Sequence, residues 1–180
     1  MRKLVVQMQC TLDGYVGGPN GEVEWAFPDF SPDFVAWTVD RISQAGAHLM
    51  GRITYHEMAD HWPTSDEPYA PPMNNVPKIV FSNTLKKADW AKTTIVSGDP
   101  VEQTKRLKQE PGKELLVHGG TRTVRALTRA GLVDEYRLFY HPVALGAGRS
   151  IFDVAEPVRY IPGELTRFES GLFVTVFRKQ

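Results

Sequence analysis

The chain has 180 residues, 42% of them hydrophobic and 23% charged, with 21 basic side chains set against 21 acidic ones. This suits a single globular domain over 1–180 that can bury a core of its own, and the zero net charge argues against a nucleic-acid or acidic-membrane partner, both of which call for a basic surplus. One cysteine, Cys10, excludes an intrachain disulfide and a paired-cysteine zinc site and fits a reducing, cytoplasmic setting.

Lys3 to Cys10 reads as a strand: an apolar run at Leu4, Val5 and Val6, then Gln7 and Gln9 alternating with Met8 and Cys10. The glutamines interrupt the run too early for a signal sequence, and no apolar stretch anywhere reaches the roughly 20 residues of a membrane span. Gln7 and Gln9 point either into a ligand cavity or out from an exposed strand face. Thr11 to Phe30 is a loop rich in turn residues that also carries Tyr15, Val16, Val23, Trp25 and Phe27, more apolar surface than a plain linker needs. Ser31 is placed as an N-cap, with Pro32 at the first helical position and Asp33 in the first turn of a helix burying Phe34, Val35, Trp37, Val39 and Ile42.

Ala47 to Met50 is a short buried strand, Ile53 to Ala59 a short helix, and Asp60 to Val76 a Pro-rich irregular stretch. Strands are expected at Lys78–Ser82, Thr94–Val96, Glu114–Val117 and Val133–Tyr140, with helices at Val101–Lys108 and Thr121–Ala130, the latter ended by Gly131. Ile151-Phe152 and Leu165 to Arg178 suggest an antiparallel hairpin turning at Gly171. Strands alternating with helices predict an α/β fold with a mixed, mostly parallel central sheet covered by helices on both faces.

Two strand–glycine–helix junctions carry chemistry. In Gly51-Arg52-Ile53-Thr54 a buried strand runs into a helix whose free N–H groups attract an anion, with Arg52 as a phosphate fork and Thr54 as a hydroxyl donor. In His118-Gly119-Gly120-Thr121 paired glycines allow close backbone approach to a pyrophosphate. Either junction alone is also an ordinary tight turn; two in one chain suit a ligand with several phosphates. Ser82 and Asn83 sit at a strand's C-terminal end, where ligands of open α/β sheets gather, and Leu145 to Ser150 reads as a loop closing the site's edge. The five histidines lack metal-ligand spacing, and no G-x-S-x-G elbow is present, so neither a metal site nor a hydrolase is expected.

In order along the chain, Thr11-Leu12-Asp13-Gly14, Gly51-Arg52-Ile53-Thr54-Tyr55, Val117-His118-Gly119-Gly120 and Gly131-Leu132-Val133-Asp134-Glu135 through Pro142, Gly146 and Phe152 resemble the RibD C-terminal reductases. Asn20-Gly21-Glu22-Val23-Glu24-Trp25 resembles the mobile loop of dihydrofolate reductases, with Glu24 where proline is usual. The resemblance implies a three-layer dihydrofolate-reductase-like fold, NADPH as hydride donor, a pyrimidine- or pterin-like heterocyclic substrate as in riboflavin biosynthesis, and a homodimer. Carried over, it assigns Arg52 and Thr54 to the adenosine-side phosphates with Ser82 and Asn83 nearby. Gly119, Gly120, Thr121 and Arg122 fall around the pyrophosphate, Val16 and Val23 near the nicotinamide, and Gly51 is a further cofactor contact. Gln9 and Trp25 become candidate substrate contacts and Asp33 the candidate proton carrier, although Asp33 follows Trp25 by more residues than the dihydrofolate reductase pattern allows. A nucleotide-binding protein without turnover is the alternative reading.

Overall fold

A computed structural model describes residues 1–180. Eight strands form one sheet: β1 (Leu4–Cys10), β2 (Ala47–Gly51), β3 (Lys78–Phe81), β4 (Thr93–Val96), β5 (Leu115–Val117), β6 (Glu135–Tyr140), β7 (Tyr160–Arg167) and β8 (Phe173–Lys179). Their spatial order is β4-β3-β2-β5-β1-β6-β8-β7. The first six are mutually parallel, whereas β8 runs antiparallel to β6 and β7 antiparallel to β8. The five helices are α1 (Pro32–Ser43), α2 (Arg52–His61), α3 (Ala70–Asn75), α4 (Pro100–Gln109) and α5 (Thr121–Arg129).

The period of two in β1 sorts the core into two layers. Leu4 and Val6 face Val124 and Leu127 of α5, while Val5 faces Ile42 of α1 and Met73 of α3. A strand buried on both faces needs this unbroken apolar run. A third cluster, Phe34, Phe139, Phe168, Leu172 and Val174, seats the start of α1 on the β6–β8 end of the sheet. The outcome is a three-layer architecture, a mostly parallel sheet with helices around it and a terminal antiparallel hairpin, as the resemblance implies. Gly131 takes a left-handed φ of 63° just after α5, and its N–H reaches the Thr128 carbonyl, so the expected glycine stop is present. Gly171 turns the last hairpin at φ 89°.

Three sequence expectations need correction. The Pro-rich stretch contains α3 and a short 3-10 turn at Trp62–Thr64; Pro71 and Pro72 lie in the first turn of α3, where a missing N–H costs nothing. Ile151-Phe152 is not a strand, and the hairpin begins only at Tyr160. Ser31 flanks α1 but its hydroxyl caps no backbone N–H; it donates instead to Asp33 Oδ1 at 2.5 Å.

Candidate functional site

β5 lies between β2 and β1, and the helices that follow β2 and β5 leave the sheet on opposite faces. The carboxyl ends of β2 and β5 therefore open into a crevice, the usual ligand position in such sheets. The cleft there has a volume of about 800 Å³. Val16, Val23, Gly51, Arg52, Thr54, Ser82, Asn83, Gly119, Gly120, Thr121 and Arg122 all line it, from segments spread across more than half the chain.

Its electrostatics suit a polyanion. α2 starts at Gly51 and α5 at Gly120, neither with a side-chain cap nor an acidic residue in its first turn. Both therefore offer free N–H groups and the positive end of a helix dipole. Arg52, Arg122 and Arg149 line the same cleft, and Glu57 is the one acidic lining residue. The arginines that form ion pairs in this protein are others: Arg2, Arg41, Arg129, Arg137 and Arg178. Gly119 and Gly120 stand at φ 113° and 78°, and a Cβ built on Gly120 would lie 3.3 Å from Thr54 Oγ1. The backbone here is held close to the start of α2, leaving a groove that side chains would fill. A ligand with several phosphates fits this donor set.

The loop over the cleft is anchored at one end. Asp13 accepts from Thr11 Oγ1 at 2.5 Å and from the N–H groups of Leu145 and Gly146, which hold its carboxylate pKa below the usual range, the Thr11 hydroxyl first. Val16 N–H donates to the Arg149 carbonyl and Arg149 N–H to the Gly17 carbonyl. Arg149 also donates from Nε to the Pro19 carbonyl. Arg149, in the segment read as an edge-closing loop, is thus a lining residue that the sequence reading did not single out.

Gln9, Trp25 and Asp33 do not line the cleft. Gln9 faces the α1 side of β1, and with Trp25 it surrounds a residue that sequence reasoning missed. His141, immediately after β6, is fully buried. Its Nδ1 lies 2.8 Å from Asp29 Oδ2 and its Nε2 2.7 Å from the Gln9 amide, with the Trp25 ring edge-on at 5.3 Å. Burial lowers the His141 pKa, with Asp29 opposing. Asp33 is elsewhere: its carboxylate accepts from Ser31 Oγ and from the N–H groups of Phe34 and Glu169, pinning the start of α1 to the final hairpin. Those bonds, the Ser31 hydroxyl first, lower its pKa. His118 lines the cleft, but its Nε2 is enclosed without a partner and its ring packs 4.3 Å from that of buried His48. Burial drives both pKa values down, that of His48 to about 4.

Residues 2–172 match the model of the RibD C-terminal domain. The chain belongs to the RibD C-terminal domain family. Protein YyaP of Bacillus subtilis (strain 168) is 30% identical over 98% of this chain and 94% of its own. Among solved structures, a protein from Shewanella sp. PV-4 named for riboflavin biosynthesis superposes with a TM-score of 0.76 at 20% identity, covering 99% of both chains. A diaminohydroxyphosphoribosylaminopyrimidine deaminase/5-amino-6-(5-phosphoribosylamino)uracil reductase of Thermotoga maritima gives 0.71 at 17% identity, with 99% of this chain matched to 57% of that one. Dihydrofolate reductase of Enterococcus faecalis, complexed with NADP(H), gives 0.62 at 16% identity over 99% of this chain and 96% of that one. At these identities the structural matches establish the fold that this RibD C-terminal domain shares with dihydrofolate reductase. No helix in it is long and apolar enough to cross a membrane.

Proposed function

We propose that this RibD C-terminal domain is an NADPH-dependent reductase of a pyrimidine- or pterin-like heterocycle, working in the cytoplasm. The observation that carries the reading is the cleft at the ends of β2 and β5, where two uncapped helix starts, a positive-φ glycine pair and three arginines without carboxylate partners converge. In this reading Arg52 and Thr54 hold the adenosine-side phosphates beside Ser82 and Asn83. Gly119, Gly120, Thr121 and Arg122 flank the pyrophosphate, and Val16 and Val23 border the nicotinamide. NADPH supplies a hydride when bound. The chain orients the two reactants and excludes water with the Thr11–Phe30 loop. The NADP(H) complex of the Enterococcus enzyme and the uracil reductase named in the Thermotoga protein support both halves of the reading.

Reduction of a C=N or carbonyl group also needs a proton. The hydrogen bonds already made by Asp33 leave it a structural role, so in this reading the proton is drawn from solvent. We further propose a homodimer that covers the edge strand β7, along which Ile161 and Leu165 lie exposed, with Val158 exposed just before it; sedimentation of the pure protein checks it, and a monomer at micromolar concentration removes it.

Titration with NADPH, followed by tryptophan quenching, tests the cofactor, and NADPH oxidation over a panel of pyrimidines and pterins tests the reaction. Micromolar binding and turnover of at least one member are expected. No NADPH binding refutes the reading; tight binding with no turnover on any heterocycle leaves a nucleotide-binding protein.

A further inference from the structure

Of the three arginines in the cleft, Arg52 and Arg122 sit at helix starts, and Arg149 comes from a loop that meets another loop. Its backbone N–H donates to the Gly17 carbonyl and its carbonyl accepts from Val16, an isolated antiparallel bridge. Its Nε donates to the Pro19 carbonyl at 3.3 Å. The guanidinium lies against Gly21, where a Cβ would fall 2.7 Å from Nη1 and 3.1 Å from Cζ. Nη1 and Nη2 make no hydrogen bond or ion pair within the chain, on a residue that is exposed and lines the cleft.

The loop tip that Arg149 grips is already formed. Gly18 N–H donates to the Glu22 carbonyl at 2.9 Å, and Gly21 N–H to the Gly18 carbonyl at 3.0 Å. The Glu22 carboxylate accepts from the backbone and side-chain amides of Asn20, and its carbonyl from Trp25 Nε1. The nearby carboxylate is therefore occupied inside the tip and leaves the charge on Arg149 uncompensated. A guanidinium tethered through Nε still presents two Nη groups, a fork that matches two oxygens of one phosphate.

The order of the strands says which phosphate. The cleft crosses the carboxyl ends of β3, β2, β5 and β1 in turn. Arg52 follows β2, and Ser82 and Asn83 follow β3, at one end. At the other, Val16 packs in one core cluster with Val117 and Ile151, which sets the paired loops after β1 and β6 beside the glycine turn. Two to three strand spacings, roughly 10–14 Å, separate β2 from β1 and β6. Arg52 and Arg149 thus serve opposite ends of the cleft, with the glycine pair between them.

Taking the cofactor reading above as given, we propose that Arg149 is a further cofactor contact: its Nη groups take the nicotinamide-side phosphate of NADPH. Because Nε and the backbone of the same residue hold Gly17 and Pro19, that contact also fastens the loop tip to the bound cofactor. One side chain then joins phosphate recognition to the covering of the site.

Two ligands separate the ends of the cleft. NADPH carries the nicotinamide-side phosphate, whereas 2′,5′-ADP carries only the adenosine-side ones. In Arg149→Met, NADPH affinity measured by calorimetry should fall at least about tenfold, as expected for loss of a charge-assisted phosphate contact, while 2′,5′-ADP binds as before. Arg149→Lys, which keeps the charge without the fork, should recover part of the loss. Hydrogen exchange adds a second readout: NADPH should slow the amides of residues 17–22 in the unaltered protein and not in Arg149→Met. Equal losses for the two ligands, a lysine variant no better than the methionine one, or exchange at 17–22 that NADPH does not change overturn the proposal. Should Arg149→Met fail to fold, Arg149→Lys decides: NADPH weakened with 2′,5′-ADP unchanged upholds it, and unchanged affinity for both overturns it. Failure of NADPH to bind the unaltered protein refutes the cofactor reading instead. Inorganic pyrophosphate then tests Arg149 alone: slower exchange at 17–22 in the unaltered protein only upholds the phosphate contact, and no slowing overturns it.

Discussion

Gly120→Ala and Gly171→Ala form a matched pair that isolates the role of the glycine turn. Both positions have left-handed backbone, φ 78° and 89°, so each alanine carries a similar conformational penalty of about 1–2 kcal/mol. Their surroundings differ. A Cβ at Gly171 meets nothing within 4 Å, whereas at Gly120 it would lie 3.3 Å from Thr54 Oγ1, 3.7 Å from Thr123 Oγ1 and 3.8 Å from the Gly51 nitrogen. Those three groups belong to the starts of α2 and α5, whose N–H groups are proposed to face the pyrophosphate. Gly120→Ala therefore puts a methyl group where the phosphates need close backbone approach. Urea melts should show similar stability losses for the two variants. NADPH titration should separate them: Kd unchanged for Gly171→Ala and raised at least about tenfold, some 1.4 kcal/mol, for Gly120→Ala. Equal NADPH affinities in the two folded variants would refute the reasoning, because the glycine turn would then be a fold requirement only.

Arg52→Ala should weaken NADPH at least about tenfold and NADH little, since a charge-assisted phosphate contact is worth roughly 1.5–3 kcal/mol; equal losses in paired titrations would move the 2′-phosphate elsewhere. Asp33→Asn should lower the melting temperature and leave turnover on any confirmed substrate intact, because its carboxylate serves Ser31, Phe34 and Glu169; a hundredfold loss of kcat would return it to the reaction. His48 is fully buried with its pKa lowered to about 4, so between about pH 6.5 and that value the unfolded chain binds the extra proton. Its contribution to stability is thus intact above about pH 6.5 and lost on acidification, about 2 kcal/mol by pH 5; urea melts of His48→Gln should show a shallower acid decline than the parent protein, and an identical one would assign it to other groups.

Much of the fold is legible because the sheet is parallel and buried on both sides. Such strands must be short continuous apolar runs, and Leu4-Val5-Val6, Leu49-Met50 and Leu115-Leu116-Val117 stand out against the polar helices between them. β7 left no such trace: it is an edge strand, almost all of it exposed, so burial imposes no pattern on Tyr160–Arg167. α3 was hidden by its prolines, which read as breakers unless the helix start is known to lie just before them.

The site divides along the same line. The cleft over β2 and β5 is made by backbone: glycines, helix starts and the residues directly after them, all of which are local in sequence and so leave a motif. The Asp29–His141–Gln9 cluster is made by side chains from three segments, separated by 112 and 132 positions where they meet. Nothing near His141 in sequence reveals that its ring will be buried, and burial is what forces both of its nitrogens to find partners. Asp33 is the converse. As an acidic residue in the first turn of a helix it carries a local signal, and a local need, tying α1 to the hairpin, already accounts for it. A buried polar side chain carries a signal that a motif position does not, because leaving such a group unpaired costs about 1–3 kcal/mol, and the ring of His141 meets a partner at both nitrogens. The proposed cofactor site rests on the other kind of signal, the glycine turns and helix starts that line the cleft.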